Sequence, residues 1–66
     1  MDIILAGIEE AIEEEIAAQE KYEQLKKEAD DAKLKALFEQ LIKDEKEHEE
    51  ILRSRYQAVK KMRNNK

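Results

Sequence analysis

In the first half of the chain, Ile4, Ile8, Ala11, Ala18, Tyr22, Leu25 and Ala29 follow one another at steps of three and four, the spacing of one face of an α-helix, once Glu15 is counted into the series. Ile12 and Ile16 widen that stripe. Glu9, Glu10, Glu13, Glu14, Glu20 and Glu23 fall on the other faces, with Lys26 and Lys27 towards the carboxyl end, an order that suits the helix dipole. The pattern predicts a helix over about 2–29, with the Asp2 carboxylate capping its first free amides. Gly7 falls inside it and is expected to permit close packing rather than to break the helix.

The second half repeats the pattern through Leu34, Phe38, Leu41, Leu52 and Val59, flanked by Leu37, Ile42, Ile51 and Tyr56, and predicts a helix over about 33–62 that frays from about Arg63. Phase separates the two halves. Continuing the first stripe past Ala29 would point Ala32, Ala36, Glu39, Lys43 and Lys46 inward, whereas the second stripe is displaced by about two residues, or roughly 200° of a helix with 3.6 residues per turn. One straight helix would thus carry its apolar stripes on nearly opposite faces. Ala29-Asp30-Asp31-Ala32 has neither Gly nor Pro, yet a turn over about 30–32, with Asp30 or Asp31 capping the second helix, removes the conflict. The expected fold is an all-α antiparallel helical hairpin, residues 1–66 forming a single domain.

Four ionisable residues sit in phase with the apolar stripes: Glu15 in the first, and Glu45, His48 and Arg55 in the second, Arg55 lying beyond the others where exposure near the bundle end accounts for it. Such groups cost several kcal/mol in an interior unless paired or metal-bound. At 1.5 Å per residue Glu15 lies about 24 Å from the turn, and Glu45 and His48 roughly 21 and 26 Å, so these three share one level. One hairpin supplies three ligands and half a core. Two related by a twofold axis at that level would form a four-helix bundle in which four carboxylates balance two divalent ions, and mixed oxygen and nitrogen donors suit iron, manganese or zinc. Each residue also has a plainer role open to it: His48 as a hydrogen-bonded boundary histidine, Glu15 as part of the solvated face, Tyr22 as core, Asp44 and Glu47 as surface, and Glu49 as surface or a spare ligand. The corresponding alternative for the whole chain is a metal-free helical hairpin acting as an oligomerisation or interaction module.

Composition narrows the rest. Charged residues make up 45% of the chain with a net charge of −4, one Gly and no Pro, as in long amphipathic helices. A chain of 66 residues needs a partner or a metal to be comfortably stable. The absence of Cys excludes disulfides, thiolate metal sites and a Cys nucleophile. An acidic chain without an interleaved basic and aromatic surface is a poor nucleic-acid binder. Its longest apolar run, Ile3-Ile4-Leu5-Ala6, is too short for a bilayer or a signal peptide, so a soluble cytoplasmic protein is expected, with no nucleic acid and no membrane as partner.

Glu15, Tyr22 seven residues later, and Glu45-Lys46-Glu47-His48 on the next helix resemble the half-site of ferritin-like di-iron carboxylate proteins, especially rubrerythrins and short encapsulated ferritins; this ligand set is already established for such bundles. The stretch Ala29-Asp30-Asp31-Ala32-Lys33-Leu34-Lys35-Ala36-Leu37-Phe38 is similar to the rubrerythrin turn and second-helix start, and the resemblance spans roughly residues 15–52. Designed di-iron hairpins that dimerise are matched equally well, down to an Asp before the Glu-x-x-His. The resemblance implies a homodimeric ferritin-like four-helix bundle with two iron ions per dimer, manganese or zinc being the alternatives, held by Glu15, Glu45 and His48. It implies ferroxidase chemistry or reduction of oxygen or peroxide. Asp44 would orient His48 of the other chain, and the Tyr22 hydroxyl would reach the ligand layer. The chain departs from rubrerythrins in carrying one half of the bundle, no Cys-rich iron domain, and Ala18 and Gln19 where an additional carboxylate would stand. No shell-targeting tail is recognisable after Val59.

Overall fold

Helix ends explain where the chain turns. The computed structural model describes residues 2–64, in which α1 spans Ile3–Glu28 and α2 spans Ala32–Asn64. Asp2 caps α1: its Oδ1 accepts from the amides of Ile4 at 3.0 Å and Leu5 at 3.3 Å. Ala29 ends the helix by turning to extended backbone, with its own amide donating to the Lys26 carbonyl. Asp31 then caps α2, accepting from the Leu34 amide at 2.8 Å. No residue here has a positive φ, which is why the turn needs no Gly. The helices lie antiparallel, since Asp2 meets Arg63 at one end and Lys26 meets Glu39 towards the other. α2 is helical through Asn64, past the Arg63 at which fraying is expected, and the Asp2–Arg63 ion pair lies in this last turn; residues 65 and 66 of the expected frayed end lie outside the described residues.

The faces that meet are not quite those read from the sequence. With Ile12 and Ile42 at heptad position a, the a and d residues of α1 are covered throughout, at Leu5, Ile8, Ile12, Glu15, Gln19, Tyr22, Lys26 and Ala29, with Ala6, Ala11, Ile16 and Ala18 part-covered beside them. In α2 the covered a and d residues are Phe38, Ile42, Glu45, Glu49, Leu52, Tyr56 and Val59, with Leu41 and Asp44 part-covered beside them. The stripes expected from the sequence are d/g. They share Ile8, Glu15, Tyr22, Phe38, Glu45 and Leu52 with the packed seam, but Ile4, Leu25, Leu34 and His48 are exposed beside it. Gly7 also lies clear of the seam; a Cβ there would meet nothing within 4 Å, so it permits no close approach within the chain.

The polar contacts between helices run along the a/e edge: Lys26 with Glu39, Gln19 with Glu49, Glu9 with Tyr56 and Asp2 with Arg63. The opposite edge, at g and c, exposes Ile4, Leu25, Leu34, Leu37, Ile51 and Met62. The molecule is a single layer, with Cα extents of 55 × 17 × 9 Å, and among its described residues only the apolar Ile12 and Ala29 are buried. No helix among the described residues is long and apolar enough to cross a membrane.

Two consequences of the caps can be measured. Asp31→Ala should destabilise the hairpin by about 1 kcal/mol, read from a thermal or denaturant midpoint. The amide bonds from Leu5 and Ile4, together with the Arg63 charge, hold the Asp2 carboxyl below its ordinary value of 3.8, although burial opposes them. Because the folded value is depressed, this contribution is complete above pH 3.8 and is lost as the pH falls through the folded value. Asp2→Asn keeps an acceptor without the charge, so exchange protection at Ile4 and Leu5 should stop weakening in acid; unchanged acid weakening would locate the effect elsewhere.

Candidate metal centre

Glu15 and His48 lie at the midpoints of α1 and α2, with Glu45 one turn before His48. Glu15 and Glu45 occupy d positions facing across the seam, and His48 at g leans in from the apolar edge. The His48 Nδ1 is 3.5 Å from Glu15 Oε2 and 3.8 Å from Glu45 Oε2, and one ligand atom from each residue lies within 4.8 Å of the other two. These gaps exceed hydrogen-bond lengths. Donors bound tetrahedrally at 2.1 Å would stand about 3.4 Å apart, so modest closure around an ion suffices. The Glu15 and Glu45 side chains are 22% and 20% exposed, against 55% for His48. The site is therefore walled on the hairpin side and open on the apolar edge.

The electrostatics favour a cation. Glu15 Oε2 is shut off from water and has no hydrogen-bond partner. The neighbouring Glu45 carboxyl, with which Glu15 can share a proton, together with burial and the Glu45 charge, raises the Glu15 carboxyl above its ordinary 4.5, with His48 acting the other way. A proton shared between the carboxylates would satisfy the orphan oxygen, and so would a metal ion, which supplies positive charge without consuming a donor. The donor set, two carboxylates and an imidazole, thus fits a divalent transition metal.

The neighbouring residues divide. Asp44 accepts from Gln40 of its own helix at 2.9 Å, leaving it beside the exposed edge rather than on His48 of the same chain. Tyr22 stacks on Phe38 with ring centroids 6.4 Å apart, and its hydroxyl does not serve Glu15 Oε2. Glu49 is engaged at the a/e edge: Gln19 Nε2 donates to its Oε1 and Arg53 Nε to its Oε2, both at 2.8 Å, and these two bonds lower its carboxyl below the ordinary 4.5. Tyr56 donates to Glu9 at 2.6 Å, which raises the phenol above 10.0. Sequence reasoning gives Glu49 as surface or a spare ligand, whereas the structure holds both its oxygens in bonds to Gln19 and Arg53 on the edge away from His48. The available signal was that Gln19 and Glu49 are both polar residues at a positions, where an apolar residue is expected.

Removing the orphan carboxylate should stabilise the metal-free chain. Glu15→Leu is expected to raise its denaturation midpoint by an amount of the order of 1 kcal/mol. A fall instead would mean that Glu15 is satisfied by a partner other than a proton or a metal.

A sequence model described as Rubrerythrin matches residues 6–66. No curated protein and no solved structure matches the chain. Because the match runs across both helices and includes Glu15, Glu45 and His48, the chain belongs to the rubrerythrin family.

Proposed function

We propose that two copies pack through their d/g edges into a four-helix bundle whose centre, built from two each of Glu15, Glu45 and His48, binds two iron ions and oxidises ferrous iron with oxygen or peroxide, or reduces peroxide. The observation that carries this reading is the unpartnered Glu15 oxygen facing Glu45 and His48 on an edge that also exposes Ile4, Leu25, Leu34, Leu37, Ile51 and Met62. Family membership supports di-iron binding.

Surface area supports the second copy. The hairpin exposes 5378 Å², whereas a folded monomer of its 7.8 kDa mass would expose about 4,400 Å². That excess, roughly 1,000 Å², is comparable with the ~800 Å² that each partner of a stable complex buries. Residue order fits as well. Ile4, Ala11, Ala18 and Leu25 run large, small, small, large about the level of Glu15, so a twofold axis crossing the helices there would set large side chains against large near the ends and alanines against alanines beside the metals. Small residues at that level let the backbones approach while the carboxylates converge.

Iron bound at the centre would supply the electrons for oxygen or peroxide chemistry. The chain supplies the rest. Four carboxylates would offset two dications, His48 would present Nδ1 to them, and Leu41 and Ile51, one to two turns away on the closing edge, would keep bulk water out. With the partner in place, Asp44 would orient His48 of the other copy, the role that its likeness to the designed hairpins implies.

Anaerobic ferrous titration followed by oxygen, with the association state monitored by sedimentation, tests the proposal. Two irons per dimer, coupled dimerisation and a rise in thermal midpoint on loading are expected. Glu45→Ala and His48→Ala should abolish the metal-dependent rise while leaving the helices formed. Ile51→Lys should give monomers with weakened metal uptake. A wild-type chain that dimerises but takes up only trace iron, manganese or zinc would instead identify a metal-free interaction module. Metal uptake without oxygen- or peroxide-dependent turnover would leave a binding protein and refute the redox half.

A further inference from the structure

Seam positions at the a/e edge are expected to be apolar, yet Gln19 and Glu49 put an amide and a carboxylate into the middle of it, covered from solvent to the same degree as the apolar seam residues around them. Both oxygens of Glu49 are occupied, one by Gln19 from the facing helix and one by Arg53 from the next turn of α2. Gln19 lies four residues after Glu15, while Glu49 lies four after Glu45 and immediately after His48. The clasp therefore shares its helical turns with all three ligand candidates while emerging on the opposite edge.

We propose that Gln19 is a positioning residue which, through Glu49, fixes the rotation of α2 and so aims His48 Nδ1 at Glu15 and Glu45. The inference rests on reading those three residues as a metal centre. A directional bond is needed there because apolar side chains tolerate rotation and sliding with little change in buried area, whereas an amide-to-carboxylate bond at 2.8 Å does not. His48 is the ligand most exposed to such error. It sits at g, 55% exposed against 22% for Glu15, and a few degrees of rotation at its Cα sweep the imidazole along the edge. The other polar clasps lie nearer the ends of the hairpin, at Lys26–Glu39, Glu9–Tyr56 and Asp2–Arg63, and fix its length and closure rather than its centre.

Gln19→Met keeps side-chain length and supplies apolar contact but removes the donor. Gln19→Glu combined with Glu49→Gln exchanges donor and acceptor and rebuilds the bond in reverse. Two readouts separate positioning from mere stability: nuclear Overhauser contact between the His48 ring and the Glu15 side chain in metal-free protein, and cobalt(II) affinity with its visible ligand-field spectrum. In Gln19→Met the thermal midpoint should hold or rise, the His48–Glu15 contact should weaken, and cobalt affinity should fall about tenfold with an altered spectrum. The double exchange should restore contact, affinity and spectrum. Wild-type contact intensity in Gln19→Met, or failure of the exchange to restore it, overturns the proposal. If the wild-type protein takes up no cobalt but the contact is lost and regained as described, positioning stands and the metal reading falls.

Discussion

Each helix carries an apolar stripe that spans the d, a and g positions, and one neighbouring helix can cover only about two of these. The turn after Ala29 ties α1 and α2 through a and d, so the g residues Ile4, Leu25, Leu34, His48 and Met62 are left at the surface, while Ala11, Ala18 and Leu41 are only part-covered. Hydrophobic burial is roughly proportional to area removed from water and indifferent to which molecule does the covering. A two-helix layer with the thickness of a single helix therefore remains unsatisfied along one edge. Polar side chains occupy the other edge and pair there, which removes any incentive for that side to associate. The hairpin is thus two-faced by construction, and its candidate ligands lie on the face that is unfinished.

Placing ionisable groups on that face sets two forces against each other. Apolar neighbours raise the cost of keeping the Glu15 and Glu45 charges close together, and the proximity of the two carboxyls lifts Glu15 towards protonation. The same closeness that destabilises the empty arrangement makes it a strong receptor for positive charge. His48 moderates the conflict without ending it, because its nitrogen stands beyond hydrogen-bond length from either carboxylate. Geometry and charge point in one direction here, and family membership agrees with them.

Much of this was legible in the residues. The phase break at Ala29–Ala32 gives the hairpin, and counting along the helices gives the common level of Glu15, Glu45 and His48. Periodicity was less able to decide which flank of each stripe would meet the tethered helix. It favoured d/g because those positions hold Ile4, Leu25, Leu34 and Leu41, whereas a holds Gln19, Lys26 and Glu49, which look like solvent-facing residues. The tether imposes one contact whatever the stripes prefer, and Gln19 and Glu49 bond to each other within it. Local chemistry was readable where one acceptor and nearby amides suffice, as at Asp2 and Asp31. It was unreadable where a side chain had two partners in reach: Asp44, next to a candidate ligand, bonds Gln40 one turn back. Equally unreadable is the pairing of Arg63, in the last turn of α2, with Asp2, 61 residues away in sequence.

That ion pair has an evolutionary reach. Holding Asp2 and Arg63 2.9 Å apart brings both ends of the helical segment out at one place, with the turn at the far end of a rod 55 Å long. Gene duplication would then face a choice fixed by the direction of the second hairpin. A few residues would join two copies whose turns lie at the same end, whereas copies running in opposite directions would require a connector that crosses the length of the bundle. Because Glu15 and His48 lie at the midpoints of their helices, either fusion would carry the half-sites to the same level. The central placement of the candidate ligands would make such a shared site indifferent to how two halves become one chain.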